Sequence, residues 1–198
     1  PGTCTFYGTA NTNQMLMEIM GLMLPGSAFV APDTPLRDAL TRAAVARAVA
    51  IAGTGENSIP IGRLLDARSF VNGIVGLCAT GGSTNLTIHL IAMARAAGLV
   101  IDWDDFSALS AATPLLVRAY PNGKADVNGF RDAGGVPFLV RELRRAGLLH
   151  DDVLTILGLG LAPYERTPRL DADGALVFAE TPEASTDASV VRSIAAPF

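Results

Sequence analysis

Two glycine-rich turns, each followed directly by an amphipathic helix pattern, constrain the fold of this chain most strongly. The first turn carries Cys4 among glycines and threonines, and apolar residues then recur at helical spacing as far as Leu24. The second turn, residues 79–85, reads Ala-Thr-Gly-Gly-Ser-Thr-Asn and precedes an amphipathic helix predicted over residues 85–97. The pattern therefore predicts two helices that start at loops rich in backbone and hydroxyl donors.

Helix boundaries and short apolar runs predict the remaining elements. Thr9, Asn11 or Thr12 is predicted to cap the first helix, and Pro25-Gly26 to end it. Polar caps, prolines and glycines also predict further helices at 35–52, 66–78, 126–132 and 136–146, and the start of another at 102–106. Strands are predicted at 28–30, 99–101, 115–120 and 153–157, with a hairpin at 171–180. The predicted fold class is α/β. The chain is expected to be part of a helix-rich, layered α/β/α domain with a short-stranded sheet.

Composition excludes several classes of function. With 49% hydrophobic and 17% charged residues over 198 positions, the chain buries a core and is not a disordered tail. The net charge of −4 and the scattered basic residues argue against a nucleic-acid partner. The sequence contains no run of about 18 apolar residues, so no membrane-spanning helix is predicted. Two cysteines without a disulfide framework favour a reduced, cytoplasmic setting.

Cys4 is the first candidate for chemistry. A thiol just before a helix start is shifted toward thiolate, the form that attacks electrophiles and binds iron or zinc. Zinc would need further ligands, and the chain offers only Cys78, His89 and His150, without a recognisable spacing. An iron–sulfur cluster would need cysteines from outside this chain. Nucleophile, metal ligand and small buried hydrophobe all stay open on this reasoning.

The second turn is the other candidate. Two glycines followed by hydroxyls at a helix start can form a nest of N–H donors for a phosphate or carboxylate. The residues concerned are Gly81, Gly82, Ser83, Thr84 and Asn85. The turn lacks the lysine of a Walker loop, and a plain tight turn between helices explains it as well.

Other polar residues are interpreted as structural. Cys78 is predicted to be a packed core thiol, and His89 a core or boundary histidine. The acidic residues at the start of the helix near 103 are interpreted as helix caps, namely Asp102, Asp104 and Asp105. The basic residues of the helix over 136–146 are interpreted as a solvent-exposed face, namely Arg141, Arg144 and Arg145.

Ordered motifs carry a family resemblance. Residues 1–15, PGTCTFYGTANTNQM, resemble the third-cysteine motif of the dihydroxy-acid and phosphogluconate dehydratase family, and residues 79–89 resemble its next motif. Motifs at 102–106, 120–126 and 133–135 follow in the same order. Thr-Phe-Tyr-Gly after the cysteine and Tyr-Pro-Asn-Gly at 120 resemble the phosphogluconate branch. Leu86 and Gly129 depart from it, since the branch is expected to have histidine there.

The resemblance implies an activity and its cofactors. The implied reaction dehydrates 6-phospho-D-gluconate to 2-dehydro-3-deoxy-6-phosphogluconate in the Entner–Doudoroff pathway. An iron–sulfur cluster, 4Fe–4S in preference to 2Fe–2S, is implied as the Lewis acid, with Cys4 as one of three cysteine ligands. The other two cysteines and a Mg²⁺ site are expected upstream of this chain, and a serine base in a C-terminal domain. The implied partner is a phosphorylated sugar acid, a small molecule.

The resemblance also implies an organisation. Residues 1–165 are expected to be the C-terminal portion of the family's N-terminal α/β domain, and residues 166–198 an extension toward a C-terminal domain. Such a fragment is expected to be inactive alone, and the full-length enzyme to be a homodimer. One rival is another dihydroxy-acid or sugar-acid (aldonate) dehydratase of the family. A rival from a different class is a non-catalytic fragment that binds an anion at the Gly-Gly turn.

Overall fold

The computed structural model describes residues 4–198 as a helix-rich fold with short antiparallel strands. Its α-helices are Thr9–Ile19 (α1), Pro35–Ile51 (α2), Ile61–Leu64 (α3), Ala67–Thr80 (α4), Asn85–Ala96 (α5), Trp103–Ala112 (α6), Val127–Asp132 (α7) and Gly135–Arg145 (α8). The strands are Leu154–Thr155 (β1), Gly158–Leu159 (β2), Arg166–Leu170 (β3) and Leu176–Glu180 (β4), and a 3-10 helix covers Ala162–Glu165. β1 pairs with β2, and β3 with β4. The predicted helix-rich class with short strands is confirmed.

Most predicted helix starts are confirmed by their caps. The Thr34 hydroxyl accepts a hydrogen bond from the Arg37 N–H at the start of α2. Asp66 and Asp102 each form a capping box, at α4 and α6 respectively. The Asp126 carboxylate accepts from two N–H groups at the start of α7. Each cap gives a partner to N–H groups that a helix start leaves without one, so the local sequence suffices to place it.

The first helix departs from its prediction at both ends. Its N-cap is Gly8, and no side chain caps it. It ends at Ile19 rather than Leu24, because Gly21 turns the chain with a φ of 77°. A Cβ at Gly21 would lie 2.5 Å from the Thr155 Cγ2 atom, so the close approach of β1 also requires glycine there.

Several predicted strands are wrong. Residues 28–30 form a buried loop and residues 99–101 an irregular link, in which Val100 is 89% exposed. Residues 115–120 make only isolated bridges, Val117 with Val191 and Ala119 with Ala125. The hairpin turn near 173–174 is confirmed, but its first arm starts earlier, at Arg166. An apolar run becomes a strand only where another backbone segment pairs with it.

Helix α1 lies at the centre of the core. It contacts α4, α5 and α8, and its Met15, Leu16 and Ile19 side chains are fully buried. The last residues of the chain join the same core through the buried Val190 and Val191.

The predicted solvent-exposed face of α8 is wrong at Arg141, which is only 4% exposed. Its guanidinium donates to the carbonyl groups of Thr181 at 2.8 Å, Pro182 at 2.8 Å and Glu183 at 3.1 Å. Periodicity cannot reveal this role, because the carbonyl acceptors come from a segment forty residues away. Arg145 is exposed as predicted, whereas Arg144 is partly covered and ion-paired with Asp151 and Glu165.

Within residues 4–198, no helix has the length and apolar character needed to cross a membrane.

Candidate functional site

Three loops that lie far apart in the sequence meet in the structure. They are the Cys4 loop (residues 4–8), the Gly-Gly turn (residues 81–85) and the Asn-Gly turn (residues 120–123). The residues Pro1, Gly2 and Thr3, which begin the cysteine motif, lie outside the described residues. Two of the three loops were predicted to carry chemistry, and the fold brings those two together.

The Cys4 loop is held by hydrogen bonds to its backbone carbonyl groups. The Asn11 side-chain amide donates to the Cys4 carbonyl at 2.7 Å and to the Phe6 carbonyl at 2.5 Å. The Val127 N–H donates to the Thr5 carbonyl at 3.0 Å. Asn11 is 3% exposed, whereas Cys4 is exposed. The loop thus has fixed backbone anchors while it presents its thiol to solvent.

Hydroxyl and amide groups join the first turn of α1 to the Gly-Gly turn. The Thr9 Oγ1 atom lies 3.1 Å from the Ser83 Oγ atom and accepts a hydrogen bond from the Asn85 amide at 2.8 Å. The Ser83 N–H donates to the Thr12 hydroxyl at 3.1 Å. These joining side chains are all neutral, so the cluster offers hydrogen bonds rather than charge.

A buried tyrosine adds a second link beneath this cluster. The Tyr7 hydroxyl donates to the Thr80 Oγ1 atom at 2.8 Å. Burial raises the pKa of Tyr7 well above its usual value, which keeps the phenol protonated as the donor.

Both glycines of the turn are required by close contacts. A Cβ at Gly82 would lie 2.6 Å from the Thr12 Cγ2 atom, and one at Gly81 would lie 2.6 Å from the Asn122 Nδ2 atom. Gly81 also has a φ of 55°, and its carbonyl accepts a hydrogen bond from the Asn122 amide at 2.7 Å. Glycine therefore lets the Asn-Gly turn and α1 reach the Gly-Gly turn from two sides.

An aromatic contact joins the Asn-Gly turn to the Cys4 loop. The rings of Phe6 and Tyr120 lie 4.9 Å apart between centroids, and both side chains are about half exposed, at 57% and 48%. These two rings form an exposed apolar edge next to the thiol-bearing loop.

Most of the backbone donors expected in the Gly-Gly turn are already used. The N–H groups of Gly81 and Gly82 donate to the carbonyl groups of Cys78 and Leu77, and the Asn85 N–H donates to the Ser83 hydroxyl. With the Ser83 N–H bound to Thr12, four N–H groups of the turn have internal acceptors. An anion at this turn would therefore meet side-chain donors rather than a nest of free backbone donors.

Other predicted residues lie away from this cluster. The prediction for His89 as a core or boundary residue is wrong, because α5 leaves it exposed. Cys78 is half-buried and packs against the core, and burial raises the pKa of its thiol, while a hydrogen bond with Ser110 opposes that shift. Leu86, where histidine was expected, is a fully buried core residue.

Sequence reasoning missed the residues that connect the loops. Thr9, Asn11 and Thr12 were interpreted as candidate helix caps, and Asn122 entered only as part of the Tyr-Pro-Asn-Gly motif at 120. One sequence signal could have identified Thr9, Asn11 and Thr12 as connecting residues. They are polar side chains in the first turn of a helix that they do not cap. Their partners lie about seventy residues away for Thr9 and Thr12, so that signal needed tertiary information.

Among the described residues 4–198, no group of three or more histidine, cysteine, aspartate or glutamate side chains is placed to hold a metal ion. Cys4 is therefore a single soft donor at this surface.

Comparison with known proteins places this arrangement in a family. Residues 1–164 match the family model described as dihydroxy-acid/6-phosphogluconate dehydratase N-terminal. The chain belongs to the dihydroxy-acid/6-phosphogluconate dehydratase family, which confirms the resemblance read from its motifs.

Within the family, the chain shares more of its sequence with phosphogluconate dehydratases than with a dihydroxy-acid dehydratase. The chain is 59% identical over 198 residues to the phosphogluconate dehydratases of Escherichia coli K12 and Rhizobium meliloti, covering 100% of this chain and 33% of each relative. It is 38% identical over 159 residues to the dihydroxy-acid dehydratase of Saccharolobus islandicus, covering 79% of this chain and 28% of that protein. The chain thus spans about a third of the length of the phosphogluconate dehydratases that it matches.

Proposed function

We propose that this chain forms one wall of the active site of a hydro-lyase that dehydrates 6-phosphogluconate to 2-dehydro-3-deoxy-6-phosphogluconate. The observation that carries the proposal is the 59% identity over all 198 residues to proteins named phosphogluconate dehydratase. The convergence of the Cys4 loop with the Gly-Gly turn supports it, because a dehydratase needs an electrophilic group for the leaving hydroxyl and polar groups that orient the substrate beside it.

The reaction needs two events at neighbouring carbons. A base removes the proton from C2, next to the carboxylate, and the hydroxyl group leaves from C3; the enol product then tautomerises to the keto acid. Within this chain, the neutral donors around Thr9, Ser83 and Asn85 are proposed to bind hydroxyl or carboxylate oxygens of the substrate. Fixed neutral donors orient a polyhydroxy acid without neutralising the carboxylate that flanks C2.

The proposed cofactor is an iron–sulfur cluster, 4Fe–4S in preference to 2Fe–2S. When bound, such a cluster would supply Lewis acidity toward the leaving hydroxyl. Cys4 fits the role of one ligand, since its thiol is exposed on an anchored loop. The described residues offer no group of three ligands, so the other cysteines and any Mg²⁺ ligands belong outside this chain in the proposal.

The Gly-Gly turn is proposed to contact substrate through Ser83 and Thr84. The double variant Ser83→Ala, Thr84→Ala is expected to raise KM or lower kcat for 6-phosphogluconate, because each lost hydroxyl removes a donor. The matched control Thr54→Ala, Ser58→Ala changes the same residue types in the loop after α2. Unchanged kcat and KM in the first double variant would contradict the assignment.

A substrate panel tests the proposed reaction itself. An enzyme of the relatives' full length that contains this chain is expected to dehydrate 6-phosphogluconate in preference to 2,3-dihydroxyisovalerate and to unphosphorylated aldonic acids. A preference for 2,3-dihydroxyisovalerate would instead favour the second candidate, a dihydroxy-acid dehydratase. That candidate rests on the 38% identity to the Saccharolobus islandicus protein. A preference for an unphosphorylated aldonic acid would favour a sugar-acid dehydratase of the family.

The proposal extends to the organisation of the whole enzyme. Residues 1–165 would belong to its N-terminal domain and residues 166–198 would lead toward a further domain, so the isolated chain is expected to be inactive. Dehydration of 6-phosphogluconate by the isolated 198-residue chain would contradict this. A cytoplasmic homodimer is the proposed state, and light scattering of the full-length enzyme measures its mass.

A further inference from the structure

A cavity of about 170 Å³ lies beside the Cys4 loop. The proposed function assigns no role to this cavity. Its lining includes Asn11, Gln14, Phe29, Val30, Arg37 and Asn128. Asn11 joins the cavity to the Cys4 loop, because its amide binds the carbonyl groups of Cys4 and Phe6. The cavity and the candidate site therefore share a wall.

Arg37 gives this cavity a positive charge in a fixed position. Among the described lining residues it is the single charged side chain. Its Nη2 atom donates to the Ser27 carbonyl at 2.5 Å, and its Nε and Nη2 atoms donate to the Val30 carbonyl at 3.1 and 2.7 Å. The Nη1 atom has no hydrogen-bond partner among the described residues. A guanidinium held in this way keeps donors ready for an anion.

Glu18 lies near this cation, and Asp126 directly precedes the lining residue Val127. Glu18 acts on Arg37 by charge, but burial raises the pKa of Glu18 to about 7, so that it is largely neutral below that pH. The Asp126 carboxylate accepts from the Asn128 and Gly129 N–H groups and from the Asn128 amide, so its oxygens are engaged by the start of α7. Neither residue lines the cavity.

Neutral amides complete the lining. Gln14 is exposed on α1, and its side chain makes no hydrogen bond to another described residue. Its amide and the Arg37 Nη1 group are therefore both available to a ligand. An arginine with an amide donor suits a phosphate, which accepts several hydrogen bonds and carries negative charge.

We infer that this cavity receives the terminal phosphate of the substrate, while the neutral cluster at the Gly-Gly turn receives its carboxylate or hydroxyl groups. The inference rests on the proposed function, because a phosphorylated sugar acid has a reacting end and a phosphate end. The Arg37 guanidinium lies at this cavity, whereas the side chains that join α1 to the Gly-Gly turn are neutral. Free inorganic phosphate shares this chemistry and is therefore a direct probe of the cavity.

The kinetic test compares 6-phosphogluconate with gluconate in an enzyme of full family length. Arg37→Met is expected to raise KM for 6-phosphogluconate by about tenfold or more, since it removes a charged hydrogen-bond partner of the phosphate. The kcat/KM for gluconate should change much less, because gluconate has no phosphate. An equal loss with both substrates, or no loss with 6-phosphogluconate, would overturn the inference.

A second variant covers the case in which Arg37→Met does not fold. Gln14→Glu adds a negative charge at the exposed edge of the cavity and is expected to raise KM for 6-phosphogluconate selectively. Asn57→Asp, with the same change of charge in a distant exposed loop, is its control. Equal effects of the two variants would contradict the inference.

A binding test separates this inference from the proposed reaction. Inorganic phosphate should raise the melting temperature of the wild-type enzyme above that in chloride of equal ionic strength, and Gln14→Glu should reduce that rise. Phosphate binding without activity on 6-phosphogluconate would reject the reaction and keep the site. Activity on 6-phosphogluconate with a phosphate effect that neither variant changes would reject the site and keep the reaction.

Discussion

Asn11 is the residue on which the shape of the Cys4 loop most depends. Its buried amide binds the carbonyl groups of Cys4 and Phe6, while the Cys4 thiol stays exposed. Its neighbour Asn13 has the same side chain on the same helix but no hydrogen bond to another described side chain or carbonyl group. The pair therefore offers a matched comparison of one amide in two environments.

We expect Asn11→Ala to lower the free energy of unfolding by about 1–3 kcal/mol, because it removes the buried amide and with it both hydrogen bonds to the loop. Asn13→Ala should change it by less than about 0.5 kcal/mol, as substitutions away from such contacts usually do. Urea denaturation measures both values. Equal destabilisation by the two variants would show that the Asn11 contacts do not hold the loop.

Glu18 is a buried carboxyl group with a structural role. It accepts hydrogen bonds from the Gly26 N–H at 2.6 Å and the Ala28 N–H at 2.9 Å, while Arg37 binds carbonyl groups of the same loop. Burial raises its pKa to about 7 from an ordinary value of 4.5, and the hydrogen bonds and Arg37 oppose that shift.

This shift predicts how stability depends on pH. The folded chain holds the Glu18 proton more tightly than the unfolded chain, so the free energy of unfolding should fall as the pH rises from 4.5 to about 7. The loss amounts to about 3 kcal/mol, and the contribution is complete below pH 4.5. Urea denaturation across this range measures it. Glu18→Gln should flatten that part of the profile, and an unchanged slope in the variant would contradict the assignment.

At the scale of elements, α8 anchors the end of the chain. The buried Arg141 guanidinium binds three carbonyl groups of residues 181–183 and lies over the Phe138 ring, 4.9 Å from its centroid. Arg145, one turn further along, is exposed and ion-paired with Glu183. The same residue type thus has two different roles on one helix.

We expect Arg141→Met to lower the free energy of unfolding by about 2–4 kcal/mol, since it leaves buried carbonyl groups without their charged donor. It should also speed hydrogen exchange across residues 181–191. Arg145→Met should leave the urea midpoint close to that of the wild type, because exposed ion pairs add little stability. Faster exchange in Arg145→Met alone would contradict the anchoring role of Arg141.

Element boundaries were predictable where the signal is local. The caps at Thr34, Asp66 and Asp102 are sequence-local devices, and each of those helices starts as predicted. The end of α1 and the strands predicted near 28–30 and 99–101 were not predictable, because they depend on tertiary partners. Burial at residues 28–30 comes from loop packing, with Glu18 and Arg37 satisfying the backbone in place of a second strand.

At the scale of the whole molecule, motif order carried more information than periodicity. The family was predicted from ordered motifs and is confirmed over residues 1–164. The meeting of the Cys4 loop and the Gly-Gly turn was not predictable, since it depends on Thr9, Thr12 and Asn85 reaching across the interface between α1 and α5. The cavity at Arg37 was likewise hidden, because its lining comes from four separate segments.

The central claim is that Cys4, and not Cys78, belongs to the catalytic wall. The most direct measurement is the content of iron and sulfide per chain, together with 6-phosphogluconate dehydration, in full-length enzymes carrying Cys4→Ser or Cys78→Ser. We predict that Cys4→Ser loses the intact cluster and the activity, while Cys78→Ser, a change at a half-buried thiol packed against the core, keeps both. A full cluster in Cys4→Ser, or equal loss in the two variants, would contradict the account.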